Sequence, residues 1–314
     1  MNLAEHPQAS RLAQPHNLHA AGRPSVFSTA YATTPEIRSF IRTADFPDRL
    51  EGWLCSDSPQ LRVKIVVFQD ATLVTISFPH SLMDMAIDEL TLNHAGDSSR
   101  LPFISEGDVL FVWWTKVVLQ AESPSPSCTI NMRNTYCCRS VLAELGHIPS
   151  ATSVLVTNAV FAALTFLSVR QVLAEPLSFT ASEVRKSFIQ QRTPEQLQVL
   201  DAIQRNTLDN AHHPALFGDP NMYIIMILNW VKAKLFQVDF SAAVQREGMS
   251  LNKRSNQLGR PSCIQGTGTR DYATRNTGVV IGKDAAGNWW LLYTLRKQNW
   301  PAVEEQILSM VEDT

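Results

Sequence analysis

No C-x-x-C spacing occurs in this 314-residue chain, and its 5 cysteines (Cys55, Cys128, Cys137, Cys138 and Cys263) are an odd number. A disulfide framework and a zinc site are therefore not expected, and a reducing compartment is the default. Adjacent Cys137 and Cys138 read as packed thiols. Charge of one sign is also missing: Lys+Arg 27 against Asp+Glu 29 leaves a net −2. That balance offers no footprint for nucleic acid or anionic lipid. Met1 to Arg23 lacks an apolar h-region, so no secretory signal is read there. The most apolar helix candidate, Ser153 to Val169, includes Thr157 and Asn158 and falls short of a bilayer span. It is expected to be a buried core helix, and no membrane segment is expected.

Several chemistries are excluded by missing motifs. Gly266-Thr267-Gly268 lacks the spacing of a dinucleotide fingerprint, and there is no P-loop. There is no G-x-S-x-G elbow for a serine hydrolase. His212-His213 has no carboxylate or thiol at a ligand spacing, so a polar loop is expected and no metal. Trp113-Trp114 and Trp289-Trp290 fit core and sheet packing better than base stacking.

What is present is an ordinary globular composition, 45% hydrophobic and 18% charged. Residues 1–35 read as a poorly ordered lead-in, and Arg38 to Arg49 as a short helix or irregular connection. In Leu61 to Phe78, Val63, Ile65 and Val67 alternate with Lys64, Val66 and Phe68. After a turn, Val74, Ile76 and Phe78 alternate with Thr75 and Ser77. This is a hairpin with at least one buried face, ended by Pro79, which cannot donate to the ladder. A short helix is expected over Met83–Leu92 and a loop over His94–Arg100. Ser105-Glu106-Gly107-Asp108 is a capping box opening a helix to about Gln120, with Val109, Leu110, Trp113, Val117 and Val118 on its apolar stripe. Further capping boxes are expected at Thr180–Glu183 and Thr193–Gln196, the latter with Pro194 at the first helical position. Strands are expected at Cys128–Met132, Tyr223–Trp230 and Leu235–Phe240, and a hairpin joins Val279–Ile281 to Trp289–Leu295. Residues 248–278 read as loop, and Pro301 opens a final amphipathic helix. With no internal repeat, interleaved strands and capped helices give an α/β class with a mixed sheet.

The pattern that carries chemistry is Phe78-Pro79-His80-Ser81-Leu82-Met83-Asp84, an H-x-x-x-D at a strand end. A histidine there can take a proton from an acceptor hydroxyl or amine near neutral pH. Asp84, four positions on, can fix the local turn. The bland alternative is an ordinary histidine, one of 8 in the chain.

Several stretches together resemble the BAHD acyltransferase superfamily, in its fungal secondary-metabolism branch. Asp57 to Asp84 resembles that branch's strand pair and H-x-x-x-D, and Phe103–Leu110 followed by Trp113-Trp114-Thr115-Lys116 resembles the helix after the lobe crossover. Asn131-Met132-Arg133 resembles its N-x-R strand, Asn158-Ala159-Val160 its G-N-A turn, and Val238-Asp239-Phe240 stands where it carries D-F-G-W-G. The resemblance implies two chloramphenicol-acetyltransferase-like lobes, here 1–98 with the H-x-x-x-D and 99–314 with the D-F motif, with a channel between them. It implies a monomeric cytoplasmic enzyme without permanent cofactor, moving an acyl group from acyl-CoA to a hydroxyl or amine of a small secondary metabolite. His80 would be the general base. Asp84 would be structural, paired with Arg133, and Asp239 would order a loop near the CoA channel.

The chain departs from the pattern. Met85 follows Asp84 where Gly is usual, Ser241-Ala242-Ala243 follows Phe240 in place of Gly-Trp-Gly, and Thr157 replaces the first Gly of G-N-A. The first lobe is short, with about twenty residues between Asp84 and Ser105. A second reading is thus a catalytically inactive paralogue that keeps the fold for binding or has no function. A peptide-synthetase condensation-like activity shares H-x-x-x-D, but Pro79 and Met85 argue against it.

Overall fold

The computed structural model describes residues 39–47, 49–56, 59–69, 71–79, 104–148, 158–244, 256–266 and 275–312. The lead-in 1–35, the helix expected over Met83–Leu92 and the loop over His94–Arg100 lie outside them. Its helices and strands are α1 (Leu50–Leu54), β1 (Arg62–Val67), β2 (Thr72–Ser77), α2 (Glu106–Glu122), β3 (Thr129–Cys137), α3 (Arg139–Glu144), β4 (Val160–Ser168), α4 (Val169–Ala174), α5 (Leu177–Gln191), α6 (Pro194–Ala211), β5 (Tyr223–Asn229), β6 (Thr277–Lys283), β7 (Trp289–Thr294) and α7 (Trp300–Glu312). β1 and β2 form an antiparallel two-stranded sheet, and the others a five-stranded sheet in the order β4-β3-β5-β6-β7. β3, β5 and β6 are parallel, while β4 and β7 join antiparallel at the edges. The class is mixed α/β with a mixed sheet, as the interleaved pattern implies.

The core sits between one face of the larger sheet and α2. Phe111, Val112, Val117, Val118 and Leu119 of α2 are fully buried with Ile130 and Met132 of β3 and Ile225 of β5. Helices α4, α5 and α7 flank α2, so α2 is apolar on nearly every side, as a central helix must be. Its stripe is wider than the sequence suggests. Phe111, Val112, Trp114 and Leu119 join Val117 and Val118 inside, while Val109 is exposed. A second cluster, Tyr136, Cys138, Val141, Ala163 and Leu197, closes the end of the sheet under α3 and α6.

Helix starts follow local chemistry. The Ser105–Asp108 box is formed in full at α2. Thr193 caps α6, with Pro194 in its first turn. Ser168 and Gln171 make a further box at α4. The box expected at Thr180–Glu183 is absent. α5 starts earlier, after Pro176, and leaves Thr180 buried inside the helix. His212 ends α6 in the left-handed region.

Two expectations are overturned. The apolar run expected as a core helix is, from Val160 to Ser168, an edge strand paired along its length with β3. Its β-branched and aromatic residues (Val160, Phe161, Thr165, Phe166) favour a pleated surface, and apolar continuity alone does not separate buried strand from helix. Leu235–Phe240 is not a strand. Lys234 takes φ 48, and a 3-10 turn occupies Leu235–Gln237. The hairpin β1–β2 forms as expected, and the structure shows which of its faces is covered.

Cross-strand pairing puts Val63 opposite Ile76, Ile65 opposite Val74 and Val67 opposite Thr72 on one face. That face is the exposed one: Val63, Ile65, Val67 and Ile76 are 58–67% exposed. The other face, with Arg62 and Lys64, packs on residues 39–53. Lys64 Nζ donates to the Ser39 carbonyl and, at 2.8 Å, to that of Arg42. Arg62 Nη1 donates to Thr43 Oγ1 at 3.1 Å and Asp45 Oδ2 at 3.0 Å. Its guanidinium also lies 5.6 Å from the Trp53 ring and 5.8 Å from that of Phe46. Long cationic side chains can bury their stems while their heads find carbonyls and rings, so here the charged face is the covered one.

Candidate active site

Residues alternate sides along a strand. On β3, Ile130 and Met132 face the helices, so Asn131, Arg133 and Thr135 share the opposite face. In register, Arg133 stands between Leu164 of β4 and Met226 of β5. Those apolar neighbours strip water from the guanidinium, and burial lowers its pKa. Arg133 Nε is buried without a hydrogen-bond partner among the described residues. Asn131 Nδ2 donates to the Phe217 carbonyl at 3.0 Å, while its Oδ1 has no partner there. Thr135 Oγ1 is likewise unpartnered. Three consecutive same-face positions thus each bury a polar atom without a partner among the described residues, and leaving such a group unsatisfied would cost about 1–3 kcal/mol. Thr135 was not singled out in the sequence; its signal is the period-two run of polar residues 131, 133 and 135.

His80 and Asp84 lie outside the described residues. β2 ends at Ser77, and the buried Pro79 is the last described residue before His80.

Asp239 belongs to a separate loop. Its Oδ1 accepts from the Ser241 amide at 2.8 Å, and its Oδ2 lies 3.0 Å from Arg260 Nη2. The hydrogen bonds from Ser241, side chain first and backbone second, hold its carboxyl below the ordinary range, and Arg260 adds to them. Arg260 Nη1 also donates to the Gln237 carbonyl. Phe240 N donates to the Gly259 carbonyl at 2.8 Å. Gly259 has φ +80, and a Cβ there would stand 2.4 Å from Ser241 N. The segments 237–241 and 256–260 are therefore locked together. Beside them is an open cleft of about 650 Å³ lined by Phe236, Gln237, Arg260, Lys283 and Asp284 among others. No β3 residue lines it, so this cleft and the polar stripe on β3 are distinct features.

Among the described residues no group of three or more His, Cys, Asp or Glu side chains could hold a metal ion. None of the described helices is long and apolar enough to cross a membrane.

No protein-family model matches the chain. A curated protein, Acetyltransferase sphE of Aspergillus fumigatus, is 58% identical over a span covering 100% of this chain and 79% of that protein. The chain belongs to the same acetyltransferase family as sphE. Acetyltransferase adrJ of Penicillium roqueforti is 29% identical, covering 98% of the chain and 78% of its own length. The matched span with sphE is 408 residues against 314 in this chain, a difference of 94. This family member is therefore shortened within the matched region. Among solved structures, TRI101 of F. sporotrichioides, complexed with coenzyme A and T-2, aligns at TM-score 0.47 and 19% identity, over 67% of this chain and 43% of that one. The chain thus spans less than half of that solved chain.

Proposed function

We propose that this BAHD-like protein transfers an acyl group from acyl-CoA to a hydroxyl or amine of a small secondary metabolite, with His80 as general base. The observation that carries the reading is Arg133: a half-buried cation on the N-x-R strand, desolvated and without a counter-charge among the described residues. A buried charge requires an opposite charge. Asp84 of the H-x-x-x-D is the carboxylate proposed to supply it, through a charge-assisted hydrogen bond. That pair would anchor the turn carrying His80 against β3, on the face of the larger sheet turned away from α2.

In this scheme His80 removes the proton from the acceptor as its oxygen or nitrogen attacks the thioester carbonyl. The tetrahedral intermediate collapses, the C–S bond breaks, and the proton passes from His80 to the departing CoA thiolate. Acyl-CoA is a co-substrate, and the chemistry calls for no resident cofactor. Asp239 keeps a structural role, ordering the 237–241 loop beside the CoA path. The lobe division at 98/99, the two chloramphenicol-acetyltransferase-like lobes and a cytoplasmic location belong to the same proposal.

Two observations favour the second reading, an inactive family member retaining only binding or no function. The chain is 94 residues shorter than its matched span in sphE, and the β1–β2 hairpin has no neighbouring strand among the described residues. Incubation with acetyl-CoA and a panel of hydroxylated and aminated metabolites separates the two readings. Acceptor-dependent release of free CoA thiol supports transfer. Folded protein that releases none supports the inactive form.

A further inference from the structure

The edge strand β4 lacks the usual protections of a sheet edge. Residues 160–168 include no charge, proline or glycine, and they pair with β3 in continuous register. Val160 and Phe166 are half-exposed. No strand pairs with the far side of β4 among the described residues. Lysine, proline, a bulge or short length commonly blunts such an edge, and a long apolar one invites another strand.

One side chain occupies that far side. Leu164 N donates to Gln191 Oε1 at 2.8 Å, and Gln191 Nε2 donates to the Leu164 carbonyl at 2.7 Å. A carboxamide has the donor and acceptor of a peptide unit, so the two bonds copy what a neighbouring strand would make. Residues of an antiparallel strand turn their main-chain groups alternately to the partner and away. Leu164 therefore fixes Val160, Ala162, Phe166 and Ser168 as the other outward positions. Ser168 N is taken by Gln171 Oε1 at 2.9 Å. Leu164 is the middle residue of β4, so the guard leaves only the short halves 160–163 and 165–168, below the about five or six residues usual in a strand. Gln191 is itself held: it ends α5, and Tyr136 Oη donates to its carbonyl at 2.9 Å.

We propose that Gln191 is an edge guard, whose carboxamide holds β4 shut against pairing with β4 of a second copy of the chain. Its release opens a continuous row of outward groups at Val160, Ala162, Leu164 and Phe166. Antiparallel addition of the same strand then joins two sheets edge to edge about a two-fold axis. The guard acts alike in an active enzyme and an inactive one, and it keeps the chain the monomer that the family resemblance implies.

Size-exclusion chromatography with light scattering on the full chain tests this. Wild type is expected to stay monomeric at concentrations where Gln191→Ala forms dimers and larger species, its self-association tighter by about tenfold or more for two lost hydrogen bonds. Adding Phe166→Lys, a charge beside the edge, is expected to return the double variant to monomer without restoring its thermal midpoint, which separates strand pairing from the sticking of unfolded chains. A Gln191→Ala protein as monomeric as wild type overturns the proposal. So does association that Phe166→Lys leaves unchanged, or a wild type whose own association Phe166→Lys abolishes. Should Gln191→Ala not fold, hydrogen exchange of the wild type decides: the Leu164 amide is expected to exchange about tenfold more slowly than those of Ala162 and Phe166, and equal rates overturn the guard.

Discussion

Arg185 Nε donates to Asp108 Oδ2 at 2.9 Å, and Asp108 is only 2% exposed. The same guanidinium reaches Ser105 Oγ at 2.6 Å through Nη2. One arginine of α5 thereby grips both ends of the capping box that starts α2. Breaking a buried pair from one side leaves a charge without compensation and costs about 3–5 kcal/mol. Arg185→Met is expected to lower stability by that order in urea denaturation, and adding Asp108→Asn should recover part of it. An unchanged midpoint for Arg185→Met would show that the pair contributes nothing.

Gly259 leaves no space for a side chain. At φ +80, its Cβ would meet Ser241 N at 2.4 Å and Ser241 Cα at 2.5 Å. Gly259→Ala is expected to cost roughly 1–3 kcal/mol and to spring the 256–260 turn from Asp239-Phe240-Ser241. Hydrogen exchange at the Phe240 amide, which donates to the Gly259 carbonyl, reads the release directly. Full protection in the variant would refute it.

Alkaline stability should depend on Tyr136. Its hydroxyl donates to the Gln191 carbonyl at 2.9 Å. Burial first, and then Cys138, pushes its pKa up to about 12, with Arg192 opposing. A folded pKa above the unfolded value near 10 means that the neutral ring is favoured by folding. The contribution is therefore complete below about pH 10 and is lost as pH rises towards 12. Tyr136→Phe should be less stable at neutral pH and should lose less between pH 10 and 12. Parallel slopes for the two proteins would contradict the assignment.

Much of the second sheet was legible in the sequence because its signals are local. β5 is a continuous apolar run, the hairpin β6–β7 flanks a turn, and Ser105 and Thr193 announce their helices. What failed was decided by tertiary context. Val160–Ser168 is apolar enough for a helix, and only its pairing with β3 makes it a strand. Arg185 stands 77 residues from Asp108, beyond any local pattern. The alternation in β1 gave its two faces correctly, but which face is covered depends on the carbonyls and rings of residues 39–53. At the candidate site, the N-x-R strand was legible as a motif, whereas the row of unsatisfied atoms at Asn131, Arg133 and Thr135 required the sheet.

The proposed Asp84–Arg133 pair predicts an energetic coupling. In a double-mutant cycle with Asp84→Ala and Arg133→Ala, stability should show a coupling of about 1–3 kcal/mol. Independent, additive losses would mean that another group neutralises Arg133.

His80 is the one side chain to which the proposed proton transfer is assigned, and the rate of acceptor-dependent CoA release from acetyl-CoA by wild type and His80→Ala tests that role most directly. General-base assistance typically contributes 10²–10⁴-fold, so the variant should fall by roughly that factor while remaining folded. Equal rates for the two proteins would remove His80 from the mechanism.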